Sequence, residues 1–231
     1  MSAGPDPSAS AAFFDIDGTI VDATVVHYYA YFATYGHSKF RRLLWTVGFL
    51  PRVICFLVLD RISRSRFNRV FYRRYRGMDT ARLRAQSRTH FEENLRPRLF
   101  PFVVERITEH RQRGERVVLI TGSLDFIVEP LAEWLRADDL IAAHMTEENG
   151  RFTGELTGPP IGDEEKARLV RVYAAQRGID LGRSHAYADS RSDMPMLETV
   201  GHAVVVNPGK KLKELAEKRG WERIVSRPSN T

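Results

Sequence analysis

A single cysteine, Cys55, is all the chain contains, so no intramolecular disulfide can form and no thiolate metal cluster can be built. That scarcity points to a reducing compartment, the cytoplasm. The first twelve residues, MSAGPDPSASAA, have neither the basic start nor the apolar stretch of a secretory signal. They read as a flexible tail, residues 1–12. No internal period recurs, which excludes solenoids and propellers. The seven histidines, His27, His37, His90, His110, His144, His185 and His202, are scattered without ligand spacing, and no zinc site is expected of them. The longest apolar stretch, LLWTVGFLPRVICFLVL at 43–59, is shorter than the ~20 residues a bilayer span requires and carries Pro51 and Arg52 in its middle. It is read as a buried or surface-lying helical hairpin broken at Pro51.

Acidic residues are also scarce in one place. Between Lys39 and Arg76 stand eleven Lys and Arg against one acid, Asp60, a net of +10 in a chain whose total is +6. One segment makes the protein basic. No nucleic-acid-binding motif accompanies that segment, so nucleic acid is not expected as a partner.

What is present is an ordinary globular composition, 43% hydrophobic and 28% charged over 231 residues. That length accommodates one core with an embellishment. Apolar, β-branched runs at 11–15, 116–123, 140–145, 184–189 and 202–207 read as strands. Helical patterns lie between them, at 126–135, 164–177 and 193–200. This alternation predicts an α/β fold, a doubly wound parallel sheet with helices on both faces, whose ligands bind at the carboxyl ends of the strands. ENGRFTGEL, with Asn149-Gly150 between two extended runs, predicts a small β-hairpin. Residues 24–100 break the alternation with aromatics and arginines at helical spacings, and read as an inserted helical subdomain. The core is then 13–23 together with 101–231.

FFDIDGTI, residues 13–20, sets Asp15 and Asp17 two positions apart at the end of the first strand, with Gly18 next. A calcium loop would need Asp or Asn at 19, Gly at 20 and Glu at 26, where this chain has Thr19, Ile20 and Val26. Two solvated acids in a turn is the plainer alternative. Against it stand further polar residues, each placed after a predicted strand or opening a helix: Thr121, Gly122 and Ser123 in ITGS, Lys166 in GDEEKARLV, and Asp189 and Asp193 in YADSRSDMPML. All would converge on one rim of the sheet.

These four stretches, in this order, resemble the haloacid dehalogenase superfamily of phosphohydrolases. DFIVEPLAEWL, GPPIGDEEK and the inserted helices resemble its phosphoserine phosphatase subfamily, whose α-helical insertion caps the site. The resemblance implies a Mg²⁺-dependent phosphatase with an aspartyl-phosphate intermediate. Asp15 is then the nucleophile and a metal ligand. Asp17 ligates the metal through its backbone carbonyl and shuttles a proton with its side chain. Asp189 is the third ligand, with Asp193 behind it holding a metal-bound water or the lysine. Lys166 offsets the negative charge, while Thr121 and Gly122 hold phosphoryl oxygens. Ser123 either joins them or caps the next helix.

Phosphoserine phosphatases carry a glutamate shortly after the first stretch to meet the substrate amine, and the aligned position here is Thr24. The expected substrate is a small phosphorylated metabolite, with phosphoserine and histidinol phosphate as candidates and Arg64, Arg66 or Arg69 as the cap arginine. The alternative is a lipid phosphate such as phosphatidylglycerophosphate, handled by a basic, apolar cap in peripheral contact with an anionic membrane.

Overall fold

The computed structural model describes residues 9–228, so residues 1–8 of the expected tail lie outside it. The tail is shorter than expected at its other end. Ala11 and Ala12 begin β1 (Ala11–Phe14) and are fully buried. Ala11 donates its N–H to Ser184 Oγ (3.1 Å), and both alanines pair with the strand that starts at Arg116.

After β1 the chain leaves the sheet for α1 (Val25–Thr34), α2 (Lys39–Ile62), α3 (Arg64–Tyr72) and α4 (Thr80–His90). It returns through α5 (Phe102–Gln112), β2 (Arg116–Leu124), α6 (Asp125–Leu135) and β3 (Asp139–Ala143). The hairpin β4 (Met145–Glu148) and β5 (Arg151–Leu156) follows, then α7 (Glu164–Arg177), β6 (His185–Ala188), α8 (Met194–Leu197), β7 (His202–Val206), α9 (Lys210–Arg219) and β8 (Glu222–Ile224). The six-stranded sheet has the order β3-β2-β1-β6-β7-β8 and every pairing in it is parallel. Strand order reverses at β1, so the crevice beyond its carboxyl end is the topological switch point, where such sheets bind ligands.

β1 shows why the sheet is central. Its four residues are fully buried, with Ala12 and Phe14 on one face and Ala11 and Phe13 on the other. Phe14 stacks on Tyr187 (ring centroids 4.2 Å) among residues of α5 and α6, while Phe13 meets Tyr173 of α7 edge-on at 5.8 Å. A strand apolar on both sides needs cover on both, and the crossover helices supply it.

The predicted run at 140–145 divides in two: β3 stays in the main sheet, and after His144 the chain enters the separate β4–β5 pair. Asn149 and Gly150 turn that hairpin with positive φ at both residues, as Asn-Gly sequences favour. The hairpin is tied to the helical insertion through Gly77 N–H to Phe152 O (2.8 Å) and Thr80 N–H to Gly150 O (3.0 Å).

The insertion leaves and rejoins the core through two segments that run side by side. Asp22 N–H reaches Arg98 O (2.9 Å) and Phe100 N–H reaches Ile20 O (3.0 Å). One expectation here is overturned: α2 is a single helix of 24 residues, continuous through Pro51, not a hairpin. Proline removes one donor from the helix interior. The carbonyl that loses its donor is that of Val47; the Arg52 guanidinium donates to its neighbour, the Gly48 carbonyl (3.2 Å). Tertiary packing carries the helix through: Trp45 and Phe49 lie against Tyr29 of α1, and Phe56 against Phe67 and Phe71 of α3. Among the described residues no helix is long and apolar enough to cross a membrane.

Candidate active site

The carboxyl end of β1 delivers Asp15 into the switch-point crevice, where it is 4% exposed. Lys166, on the first turn of α7 and equally buried, brings Nζ to 2.5 Å from Asp15 Oδ1 and 2.6 Å from Asp193 Oδ1. Burial alone would lower the lysine's pKa; the Asp15 and Asp193 carboxylates outweigh it and hold the ammonium above its ordinary range. Lys166 is therefore a fixed cation.

Asp15, Asp189 and Asp193 converge so closely that one carboxylate oxygen from each lies within 4.8 Å of the others. Burial raises Asp15 to about 7, Lys166 pulling against it while Asp193 and Asp17 push the same way. Burial, then the charges of Asp15 and Asp193, push Asp189 well above the carboxylate range. Clustered buried carboxylates repel, and a hard divalent cation with oxygen ligands is what relieves that repulsion. The donor set fits Mg²⁺. Gly18 belongs to the same arrangement: at φ +87°, a Cβ there would sit 2.3 Å from Asp189 Oδ2. Only glycine lets the backbone turn while Asp189 comes this near.

Asp17 is 6% exposed, and its two oxygens are treated differently. Oδ2 accepts from Ser123 Oγ (2.6 Å) and Thr121 Oγ1 (3.0 Å). Oδ1 is buried and accepts from neither of them, and the Tyr28 phenol lies against the same carboxylate. Burial, reinforced by the Asp17 charge, holds the Tyr28 phenol well above its usual pKa. Two expectations change here. The Thr121 hydroxyl proton goes to Asp17 and not to an open anion position, because a buried carboxylate must be hydrogen-bonded. Ser123 does not cap α6, whose cap position is Leu124; its hydroxyl too is on Asp17.

Gly122 lies between core and cap. A Cβ at Gly122 would be 2.4 Å from Ile161 O and 2.5 Å from Asn68 Nδ2. Tyr72 OH donates to Gly122 O (2.5 Å), and Asp163 Oδ2 accepts from Ser65 Oγ (3.0 Å) and Ser65 N–H (3.3 Å). These bonds bring α3 down onto the site. Arg64 and Asn68 thereby join Asp15, Asp17, Lys166, Gly122 and Asp193 around a narrow cavity with about 10 Å³ of free space.

Of the three cap arginines named from the sequence, Arg64 lines this cavity, whereas Arg66 and Arg69 are exposed. Thr24 is also exposed; it caps α1, its hydroxyl 3.0 Å from His27 Nδ1, and its neighbour Val25 faces the cavity. Asn68, Asp163, Tyr28, Tyr72 and Thr19 went unnoticed in the sequence. Thr19 follows the acid pair directly and donates to Asp15 Oδ2 (3.3 Å), so its position was a readable signal. The others carried none, since their proximity comes from the packing of the cap.

A parallel sheet with two acids after its first strand, a buried lysine and a second acid pair at one rim is the arrangement that the resemblance to the haloacid dehalogenase phosphohydrolases leads one to expect. Comparison with known proteins agrees. The family model for haloacid dehalogenase-like hydrolases matches residues 12–198. A probable phosphatase of Mycobacterium tuberculosis is 34% identical over 97% of this chain and 79% of its own length. A phosphoserine phosphatase of the same organism is 31% identical over 94% and 71%. The crystal structure of a protein of unknown function from Bordetella pertussis Tohama I superimposes with a TM-score of 0.79 at 25% identity, covering 94% of this chain and 98% of that one. The chain belongs to the haloacid dehalogenase-like hydrolase family, among its phosphoserine phosphatase-like phosphatases.

Proposed function

We propose that the chain hydrolyses a small phosphomonoester through a covalent phosphate on Asp15. The observation that carries this reading is the buried contact of Lys166 with Asp15 and Asp193, beside Asp17 and Asp189, at the switch point. A carboxylate oxygen of Asp15 attacks phosphorus in line. The ester P–O bond breaks, and its electron pair leaves on the alkoxide oxygen, which takes the proton of Asp17. Asp17, now ionised, removes a proton from water; that water attacks phosphorus, the Asp15 O–P bond breaks, and phosphate departs.

Oδ1 is the Asp17 oxygen assigned to proton transfer, because Oδ2 is held by Thr121 and Ser123, and the Tyr28 phenol is the other group against this carboxylate. Lys166 offsets charge on nucleophile and phosphate together, and Gly122 offers its N–H to a phosphoryl oxygen. Mg²⁺, held by the Asp15 carboxylate, the Asp17 carbonyl and Asp189, supplies when bound the positive charge that lets a carboxylate approach a dianion. Asp193 keeps Lys166 in place.

Arg64 and Asn68 stand on the cap side of the cavity, where the part of the substrate beyond the phosphate would lie. Arg64 suits a substrate anion. No cap acid lines the cavity among the described residues, so a substrate amine finds no partner like the glutamate replaced by Thr24. Phosphoserine and histidinol phosphate are the first compounds to compare, and a panel of phosphomonoesters ranks them. A lipid phosphate is the second reading, favoured by the apolar outer side of α2.

Asp15→Asn should lower turnover of an aryl phosphate by at least about 10³-fold, and chelating the metal should do the same. Retention of even a tenth of the rate by Asp15→Asn would refute the nucleophile assignment.

A further inference from the structure

α2 is apolar on two sides, and the molecule covers one of them. Trp45, Phe49 and Phe56 face the other cap helices. Phe40, Leu43, Leu44, Val47, Leu50 and Ile54 lie on the opposite side, each more than half exposed, and Val58 continues the line one turn on. Their spacing of three and four residues places them on a single stripe that runs most of the helix's length. Scattered exposed leucines need no explanation; a continuous stripe of this length does.

The surroundings of the stripe identify what covers it. Lys39, Arg41 and Arg42 are exposed at the first turn of α2, Arg52 at its middle, and Arg66 and Arg69 on the adjoining α3. Among the described residues no acid lies within ion-pair distance of Lys39, Arg41 or Arg42, and the stretch from Lys39 to Arg76 carries +10. Two copies meeting through this side would bring two basic segments together, which like-charge repulsion opposes. An apolar stripe on the chain's one strongly basic segment matches instead a surface that is anionic outside and hydrocarbon beneath. Among the described residues no helix is able to cross, and α2 carries Pro51 and Arg52 at its middle, so a bilayer would receive this helix lying and not spanning.

We propose that the outer side of α2 docks the protein on an anionic lipid bilayer. The aliphatic stripe enters the headgroup boundary, and the flanking lysine and arginines contact lipid phosphates. Ser63 joins α2 directly to α3, whose Arg64 and Asn68 line the catalytic cavity, so docking would bring that cavity's cap-side wall close to the membrane. The inference stands on surface chemistry and is independent of the hydrolase mechanism.

Co-sedimentation of the full chain with vesicles tests it, using phosphatidylglycerol mixed with phosphatidylcholine against phosphatidylcholine alone, at low and high salt. The anionic vesicles should bind at least about tenfold more strongly, and high salt should weaken that binding. Leu43→Asp with Val47→Asp should release the protein from anionic vesicles at any salt while aryl phosphate turnover stays at the wild-type rate. Arg41→Glu with Arg42→Glu, a purely surface change, should weaken binding chiefly at low salt. Wild-type protein that stays in the supernatant overturns the proposal, as do variants that sediment like wild type. Sedimentation velocity covers the competing occupant: a dimer that Leu43→Asp with Val47→Asp dissociates, with no vesicle binding, would assign the stripe to a second copy and overturn the membrane.

Discussion

Asp15 and Asp17 occupy almost the same place in the sequence yet meet different surroundings, and that difference sets the chemistry open to each. Asp15 faces an ammonium and two further carboxylates, whereas Asp17 faces hydroxyls alone: Thr121 and Ser123 on Oδ2, with the Tyr28 phenol beside the same carboxylate. In the proposed mechanism the Ser123 and Thr121 hydroxyls are positioning groups, fixing which Asp17 oxygen points toward the reacting ester. Ser123→Ala removes the shorter of the two bonds and lets the carboxyl rotate. Steady-state kinetics on an aryl phosphate should show kcat lower by about 10- to 100-fold with KM little changed, since the loss concerns proton transfer and not binding. An unchanged kcat would mean that Thr121 alone suffices. The acids, Lys166 and Thr19 were within reach of sequence reasoning because each sits at the end of a strand or the start of a helix. Asn68 and Tyr72 were not, since nothing local marks a residue that becomes functional when its helix folds over a distant strand.

The elements of the sheet were legible for the same reason that they are stable. β1, β2, β6 and β7 are short, continuous apolar runs, as strands buried on both faces must be. The short final element after Arg219 carries no strand signal in the sequence, because Glu222 and Arg223 of β8 are polar and exposed at the sheet's edge. α2 was misread as a hairpin because local rules end a helix before proline, whereas packing of Trp45, Phe49 and Phe56 carries it through. The override has a measurable cost. Interior proline disfavours a helix by about 3 kcal/mol relative to alanine, part of which the native backbone has already accommodated. Pro51→Ala should stabilise the protein by about 1 kcal/mol in urea unfolding, with helix content unchanged. Destabilisation instead would mean that the proline holds α2 in a bend on which its packing against α1 and α3 depends.

At the scale of the whole molecule, folding assembles histidines that the sequence keeps apart. His110 and His185 meet at 4.7 Å between ring centroids, and His110 Nδ1 lies 2.5 Å from Glu115 Oε2. Burial lowers both to about 4, His110 helped by Arg113 and Arg106, and His185 by His110 itself. Glu115 pulls His185 the opposite way and sits against His110, which makes this pair a poor isolated probe. His90 is simpler: it is 1% exposed among the rings of Tyr28, Tyr31 and Phe32, and burial, then Arg98, lowers it to about 4. The unfolded chain binds a proton there near the ordinary value of about 6.5, while the folded chain resists doing so until about 4. Below 6.5 the unfolded state therefore holds more protons, and the folded state loses stability as pH falls through that window. At full shift the loss from His90 is about 3 kcal/mol, since each unit is worth about 1.4 kcal/mol. Urea unfolding of wild type and His90→Phe across this range isolates the contribution, because carboxylates and the other histidines titrate alike in both. The stability gap between the two proteins should shift in favour of His90→Phe as the pH is lowered from 7 to 4.5. A gap that stays constant would mean that His90 is protonated inside the fold, with a partner that its ring of aromatics does not provide.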